Sequence, residues 1–592
     1  MDFAPCLLPK TAAKPRENGA AEKIPVLLAF ARWEYDAGRM AEAERLCLQI
    51  LTLDARHAEA LFLLGMTGLK TARYEMAERM MRLAIGLKGH QASYHFYLGN
   101  ALQAQGGIDE AAVCYERALE IQPEHAEACY NLGNTLLARN QFDRATALYR
   151  RALAIKPRYS EAWCNLGAVN RRQGKFDEAV NCFERALSLA PNNANYCCNL
   201  GDALHAQGKV EEAMVWYKRT LALDPGHYKA SNCLCNALFD LGDLAGAVAC
   251  CERTLAIKPG YGEALMNRCL LQLLKGDYVA GWRNHEVRWK VYPPRLFSQP
   301  LWTGAPLKGA MILLYAEQGL GDSLQFLRYV PLVQAAGGKV VLEIPANLRR
   351  LAAGLPGLAA LVNTQPPGGR PSSPGWQTGP PLPHFDCRCP LMSLPLAFGT
   401  TIESIPAHVP YLAAPEEAFK KAAALLWPTT GLRVGLAWTG NPSHPKNRFR
   451  SIPLGLLEPL FNLENVRFFS LQMGPSAAEL ARRRAKITDL APVTGDMADT
   501  AAQMAHLDLI LSIDTSIAHL AGALARPLWV LLSYLPDWRW LLDREDSPWY
   551  PTARLFRQPR PGDWPAVIER VRAALVELAA EKAIRSAMNR AG

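Results

Sequence analysis

Three short stretches in the second half of this 592-residue chain carry side chains that could do chemistry together. The first, Glu317-Gln318-Gly319-Leu320-Gly321-Asp322, sets two glycines and a carboxylate between an apolar run, Met311 to Tyr315, and an amphipathic stretch from Ser323 to about Ala336. Such a turn aims backbone amides and the Asp322 carboxylate from a helix N-terminus into a cleft, or leaves Asp322 merely capping that helix. In the second, Trp438-Thr439-Gly440-Asn441-Pro442 is followed by His444, Lys446, Asn447, Arg448 and Arg450, a loop composition that suits phosphate. The third, Asp514-Thr515-Ser516-Ile517-Ala518-His519-Leu520-Ala521, reads as a hydroxyl-rich turn into a helix. There Thr515 and Ser516 can cap the helix and donate to phosphate, with Asp514 before them and His519 one turn in. A carboxylate can take the proton of an attacking hydroxyl, while fixed cations and helix amides hold a departing anion.

These stretches need strands to aim them. After Trp302 the pattern alternates strand-length apolar runs with helical ones, which is α/β grammar. Strands are expected at Met311 to Tyr315, Lys339 to Ile344, Leu432 to Trp438, Val466 to Leu471, Leu507 to Ile513 and Leu528 to Leu532. Each chemical stretch follows one of them, and loops at the carboxyl ends of strands line the crevice of an open α/β sheet. A dinucleotide fingerprint is not complete, because Leu324 stands where its third glycine belongs. Arg482, Arg483 and Arg484 fall in a helical stretch and read as a solvated face.

The first half repeats every 34 residues. Gly65, Gly99, Gly133, Gly167 and Gly201 keep that spacing, as do Ala77, Ala111, Ala145, Ala179, Ala213 and Ala247, and prolines at 123, 157, 191, 225 and 259 close the units. Two helical patterns flank a turn such as Gln173-Gly174-Lys175. The pattern resembles the tetratricopeptide repeat, with seven units over residues 24–261 after a flexible N-terminus at 1–23, then a partial repeat and linker at 262–304. Stacked units of this kind offer a concave surface for another protein's segment. Asn131, Asn165 and Asn199 share one register, two residues before the glycine, and are expected to form a ladder along the groove. A carboxamide offers a peptide backbone both a donor and an acceptor. Phe62, Phe96, Tyr130 and Trp163 near the same face read as packing residues.

Composition narrows the class. Half the residues are hydrophobic and a fifth charged, which argues against wholesale disorder. Fifteen cysteines without a Cys-x-x-Cys pair read as reduced packing residues and not as a metal site. The most apolar segment, Leu507 to Leu535, is broken by Asp508, Asp514, His519, Arg526 and Pro527, so no membrane span is expected. The N-terminus has no apolar stretch of secretory type, so a cytoplasmic protein is expected. A net charge of +10 spread over this length favours anionic ligands without naming one, and no basic patch interleaved with aromatics points to nucleic acid.

The Gly-x-Gly-Asp loop, the Lys446/Arg448 loop and the Asp-Thr-Ser-x-x-His-Leu-Ala segment, in that order, resemble the heptosyltransferase-like family of GT-B glycosyltransferases over about residues 305–575. With the repeats upstream, the layout looks like that of bacterial repeat-bearing protein glycosyltransferases, including those that modify flagellins. The resemblance implies an all-α tetratricopeptide superhelix followed by two Rossmann-like domains. These are an acceptor-side domain at 305–415, interrupted by a Pro/Gly-rich insert at 363–384, a nucleotide-sugar domain at 430–562, and a C-terminal helix at 563–592 that could cross back over the N-terminal lobe. It implies Asp322 and His519 as catalytic residues, with Asp322 the general base. Gly319, Gly321, Trp438, Asn441, Lys446, Arg448, Asp514, Thr515 and Ser516 become donor contacts, and Asn131, Asn165 and Asn199 acceptor contacts. The implied reaction is metal-independent, needs no cofactor beyond the nucleotide sugar as co-substrate, and acts on Ser or Thr of a protein captured by the repeats, flagellin first. Two rivals are a non-enzymatic repeat scaffold with a degenerate transferase half, and a transferase acting on lipopolysaccharide or another glycan.

Overall fold

The computed structural model describes residues 20–364, 382–426, 431–442, 444, 447–474, 479–480 and 486–591. The chain divides into two compact units, Met1–His227 and Tyr228–Gly592.

The first unit is a run of helix pairs: Ala20–Asp36 with Met40–Leu53, Ala58–Lys70 with Tyr74–Leu87, Ala92–Ala104 with Ile108–Ile121, Ala126–Ala138 with Phe142–Ile155, Ser160–Arg172 with Phe176–Leu189, and Ala194–Gln207 with Val210–Leu223. The repeating glycine lets an aromatic ring from the second helix lie on the first. A Cβ would fall 2.6 Å from Tyr115 Cε1 at Gly99, 2.7 Å from Tyr149 Cε1 at Gly133, 2.8 Å from Phe183 Cε1 at Gly167 and 2.6 Å from Tyr217 Cε1 at Gly201. The residue after the glycine answers the ring. Tyr115 donates its hydroxyl to Asn100 Oδ1 at 2.8 Å, Tyr149 to Asn134 Oδ1 at 2.7 Å and Tyr217 to Asp202 Oδ1 at 3.0 Å. In the Gly167 unit the ring is Phe183, which has no hydroxyl, and the residue after the glycine is Ala168, which has no acceptor. Hydroxyl and acceptor disappear together, as the cost of burying an unpaired polar group requires. The units share their aliphatic core, with Leu98, Leu132 and Leu166 all buried.

The second unit opens with five helices, Tyr228–Asp240, Leu244–Ile257, Gly262–Leu274, Tyr278–His285 and Arg288–Val291. The seventh repeat pair therefore belongs with the α/β half, where the repeat spacing placed the boundary after residue 261. Two open, wholly parallel sheets follow. Strands β1 (Met311–Tyr315), β2 (Lys339–Pro345), β3 (Leu358–Thr364) and β4 (Cys387–Pro390) form one in the order β3-β2-β1-β4. Strands β5 (Leu432–Ala437), β6 (Val466–Ser470), β7 (Ile487–Asp489), β8 (Leu509–Ile513), β9 (Leu528–Leu532) and β10 (Ala553–Arg557) form the other in the order β10-β9-β8-β5-β6-β7. Both are doubly wound, with the strand order reversing between β1 and β4 and between β5 and β8. Buried runs such as Met-Ile-Leu-Leu-Tyr in β1 and Leu-Ile-Leu-Ser-Ile in β8 are what strands covered on both faces require.

Several sequence expectations shift here. The helix expected over 323–336 starts at Leu320, tightens into a 3₁₀ turn at Leu327–Tyr329 and resumes at Val330–Ala335, where Pro331 supplies no N–H. The strand expected from Leu507 starts at Leu509. In the C-terminal helix, Trp564–Ala591, the residues Trp564, Val567, Ile568, Val571 and Leu575 pack into the core of the second sheet with Leu432, Val434 and Phe556. Most of the expected insert and of the N-terminal stretch, and Arg482 to Arg484, lie outside the described residues.

Candidate functional site

A cleft of about 930 Å³ lies in the second unit, where the carboxyl ends of both sheets open toward each other. Its walls are the segments after β1 (Gly319 to Asp322), β5 (Thr439 to Asn441 and Arg448 to Ser451), β6 (Leu471 to Gly474), β8 (Asp514 to Ile517, with His519) and β9 (Leu532 to Asp537, with Arg539). β1, β5 and β8 flank the points where strand order reverses, the place where neighbouring loops diverge and leave a crevice. The volume is that of a nucleotide-sized ligand site.

Asp322 sits in the first turn of helix Leu320–Phe326. Its Oδ2 accepts the Gly319 N–H at 2.9 Å, the capping role, and its Oδ1 accepts from Arg539 Nη2. Arg539 is the residue that sequence reasoning missed. Its guanidinium, 9% exposed, also meets Asp537 Oδ1 at 2.8 Å and Gln325 Oε1. Burial works against this charge, but the Asp537, Asp322 and Asp514 carboxylates outweigh it and hold the guanidinium above its ordinary range. The signal lay in Pro536-Asp537-Trp538-Arg539-Trp540, a charged pair inside an aromatic run just beyond a strand.

Thr515 caps helix Ser516–Ala523, accepting the Ile517 N–H at 3.3 Å, and its hydroxyl lies 3.2 Å from Ser512 Oγ. Ser516 lines the cleft at that helix N-terminus. His519, 4% exposed, stacks on Trp540 with ring centroids 5.7 Å apart. Its Nδ1 lies 2.8 Å from the Tyr550 hydroxyl and its Nε2 lies 3.7 Å from Asp514 Oδ1. Burial, with Arg539, Arg328 and Arg450 nearby, pushes His519 well below the usual histidine range, so the ring is neutral. Asp514 moves the other way: burial first, then the Asp537 carboxylate, raise it to about 6 against the pull of Arg450 and Arg539.

On the basic loop, Arg450 donates to the Asp514 carbonyl at 2.9 Å, and its buried Nε has no hydrogen-bond partner among the described residues. Gly440 admits it: a Cβ there would lie 2.7 Å from Arg450 Nη2. Asn441 and Arg448 line the cleft, while Lys446 lies outside the described residues. Trp438 is the exception among the expected donor contacts. Its indole is 2% exposed in the core beneath the second sheet, and what it gives the site is a backbone N–H held by Gln472 Oε1 at 3.2 Å. A residue directly after a buried strand continues the strand's alternation, which turns it inward.

The asparagine ladder serves the array before any partner. Asn131 donates to Asn100 Oδ1 at 2.8 Å and Asn165 to Asn134 Oδ1 at 2.7 Å, each one repeat back. Asn199, which faces Ala168 instead of an asparagine, turns to Cys164 Sγ at 3.2 Å. Phe62 stacks on Tyr94 with centroids 4.5 Å apart, and Trp163 donates to the Pro157 carbonyl at 3.0 Å, so both serve packing. The fourteen cysteines among the described residues are all free. None of the described helices is long and apolar enough to cross a membrane.

Models of the tetratricopeptide repeat match residues 58–90, 97–160, 160–193 and 194–227, so residues 58–227 are an array of tetratricopeptide repeats. Protein FlbA of Caulobacter vibrioides is 27% identical over 341 residues, 53% of this chain and 55% of that protein, so the chain spans about half the length of the curated relative it matches. Among solved structures, YrrB, described as a repeat protein with an unusual peptide-binding site, is 22% identical over 32% of this chain and 97% of its own, with a TM-score of 0.29. Pseudomonas aeruginosa pilF is 21% identical over 35% of this chain and 94% of its own, with a TM-score of 0.32.

Proposed function

We propose that the chain is a GT-B glycosyltransferase that moves a sugar from a nucleotide-sugar donor to Ser or Thr of a protein acceptor held by its repeats. The observation that carries this reading is the meeting of both sheets at one cleft, with a Gly-x-Gly-Asp turn on one side and an arginine loop plus a helix N-terminus on the other. In the reaction the acceptor oxygen bonds to the anomeric carbon as that carbon's bond to the diphosphate oxygen breaks. The proton of the hydroxyl passes to a carboxylate, Asp322, and the leaving diphosphate is held by Arg448, Arg450 and the amides at Ser516. Neutral His519 can offer a hydrogen bond to the donor without adding charge. Flagellin, the acceptor named first, rests on the family resemblance alone.

The test is a thermal-shift screen of the full chain against UDP, ADP, GDP, CMP and their sugar conjugates, since a ligand that binds only the folded state raises its apparent stability. One nucleotide should stabilise the wild type and lose that effect in Arg448→Ala and His519→Ala. If none does, the transferase reading falls. The repeat-scaffold reading has one observation of its own, because both Asp322 oxygens already accept hydrogen bonds, from Arg539 and Gly319. Asp322→Asn should abolish transfer under the first reading and leave partner binding by the repeats unchanged under either.

A further inference from the structure

One wall of the cleft does not come from the sheets. Phe239 and Asp240, the last two residues of the repeat helix Tyr228–Asp240, line it beside Tyr534. Earlier in that helix Leu234 and Cys235 are buried, so the helix is anchored by packing and its end is presented to the cleft. The end is also closely seated. Gly242 has φ +88°, and a Cβ there would lie 2.1 Å from Tyr534 Cε1, so only glycine lets the turn rest on that ring. Asp240 thus puts a carboxylate, together with the negative end of a helix dipole, into a cleft whose opposite character comes from Arg448 and Arg450. Of the charged groups near Arg448, Asp240 is the carboxylate that supports its guanidinium against burial.

We infer that Asp240 is a charge filter contributed by the repeats, through which the cleft prefers a sugar-capped nucleoside diphosphate to the same diphosphate uncapped. The inference rests on the transferase reading. A sugar-capped diphosphate carries about two negative charges, whereas the free diphosphate has a terminal phosphate with a second pKa near 6 and carries about one more at neutral pH. That additional charge must share Arg448 with Asp240. The capped ligand places a neutral sugar there instead, so the carboxylate lowers affinity for the product more than for the donor and favours product release.

The experiment is titration calorimetry on the full chain, wild type, Asp240→Asn and Asp240→Glu, with UDP, ADP and GDP, each beside its glucose conjugate. For whichever base binds, Asp240→Asn should tighten the free diphosphate by about two- to fivefold, the range of a partly exposed charge pair. The conjugate should change less, and Asp240→Glu should keep the wild-type ratio. Raising salt should shrink the difference. Equal changes for capped and uncapped ligand, or none, overturn the filter and leave the transferase reading standing. Absence of binding by any pair to the wild type overturns both. Equal unliganded melting temperatures of the variants separate the effect from misfolding.

Discussion

Gly321 and His519 touch so closely that a Cβ on the glycine would lie 2.7 Å from His519 Cδ2. They are 198 positions apart in the chain, on helices that follow strands of different sheets, yet this contact brings the Gly-x-Gly-Asp turn against the helix that follows β8. Two of the stretches singled out by composition are therefore one site. Gly321→Ala should push the imidazole off its stack on Trp540. The expected cost is about 1–3 kcal/mol of stability, the range for overpacking, with loss of any nucleotide-induced rise in melting temperature. A variant that keeps the ligand effect would show that the contact is only packing.

Arg539 closes the same junction from beneath. It meets Asp322 and Gln325 on the first-sheet side and Asp537 on its own. Arg539→Met should destabilise by about 3–5 kcal/mol, because it leaves half-buried carboxylates without a counter-charge. Part of that loss should return when Asp322→Asn is added, the remainder belonging to Asp537 and Asp514. Chemical denaturation of both single variants and the double variant gives the coupling energy, and simple additivity would show that the two side chains do not act together.

How much of this was legible in the sequence follows from the range of each signal. The 34-residue spacing is local and repeated, so the helix pairs follow directly from Gly99, Gly133 and their like. β1, β5 and β9 are buried runs and show as such, but β4 is only Cys387–Pro390 and β7 only Ile487–Asp489, too short for any periodicity to register. Asp322, Asp514 and His519 stood out by type and context. Arg539 did not, since its meaning depends on a partner 217 residues away, and Trp438 misled because its neighbours face the cleft while its own side chain turns inward. The asparagine register was visible; that its first partner is the preceding repeat depends on the stacking of units, which no single unit encodes.

Phe183 and Ala168 supply a test of the repeat logic. Phe183→Tyr alone buries a hydroxyl against a residue with no acceptor, and should cost about 1–3 kcal/mol. Pairing it with Ala168→Asn recreates the Tyr149–Asn134 arrangement of the preceding repeat and should recover most of the loss. Asn199, released from Cys164, then has a carboxamide one repeat back, as Asn165 does. Urea unfolding of the two single variants and the pair measures the coupling; a pair no better than Phe183→Tyr would mean that hydroxyl and acceptor are absent for unrelated reasons.

The pH dependence of stability should report the buried histidines. Burial, then Arg288 and Arg539, pushes His285 down to about 3, and burial with its arginine neighbours pushes His519 well below its ordinary value. The unfolded chain protonates both near pH 6.5, whereas the folded chain protonates neither there. Their contribution is therefore complete above pH 6.5 and is lost as pH falls below it, each at up to about 1.4 kcal/mol per pH unit. Asp514 opposes them. With its folded value raised to about 6, it favours folding below about pH 4, and that contribution is lost as pH rises through 6. Between pH 5 and 6 the wild type should thus lose stability on acidification with a net uptake of about one proton, the sum of two histidines less one carboxyl. His285→Gln or His519→Gln should flatten the slope by about one proton, and Asp514→Asn should steepen it. Denaturant titrations at intervals of half a pH unit resolve these slopes, and an unchanged slope in His519→Gln would mean that the folded chain already holds that imidazole protonated.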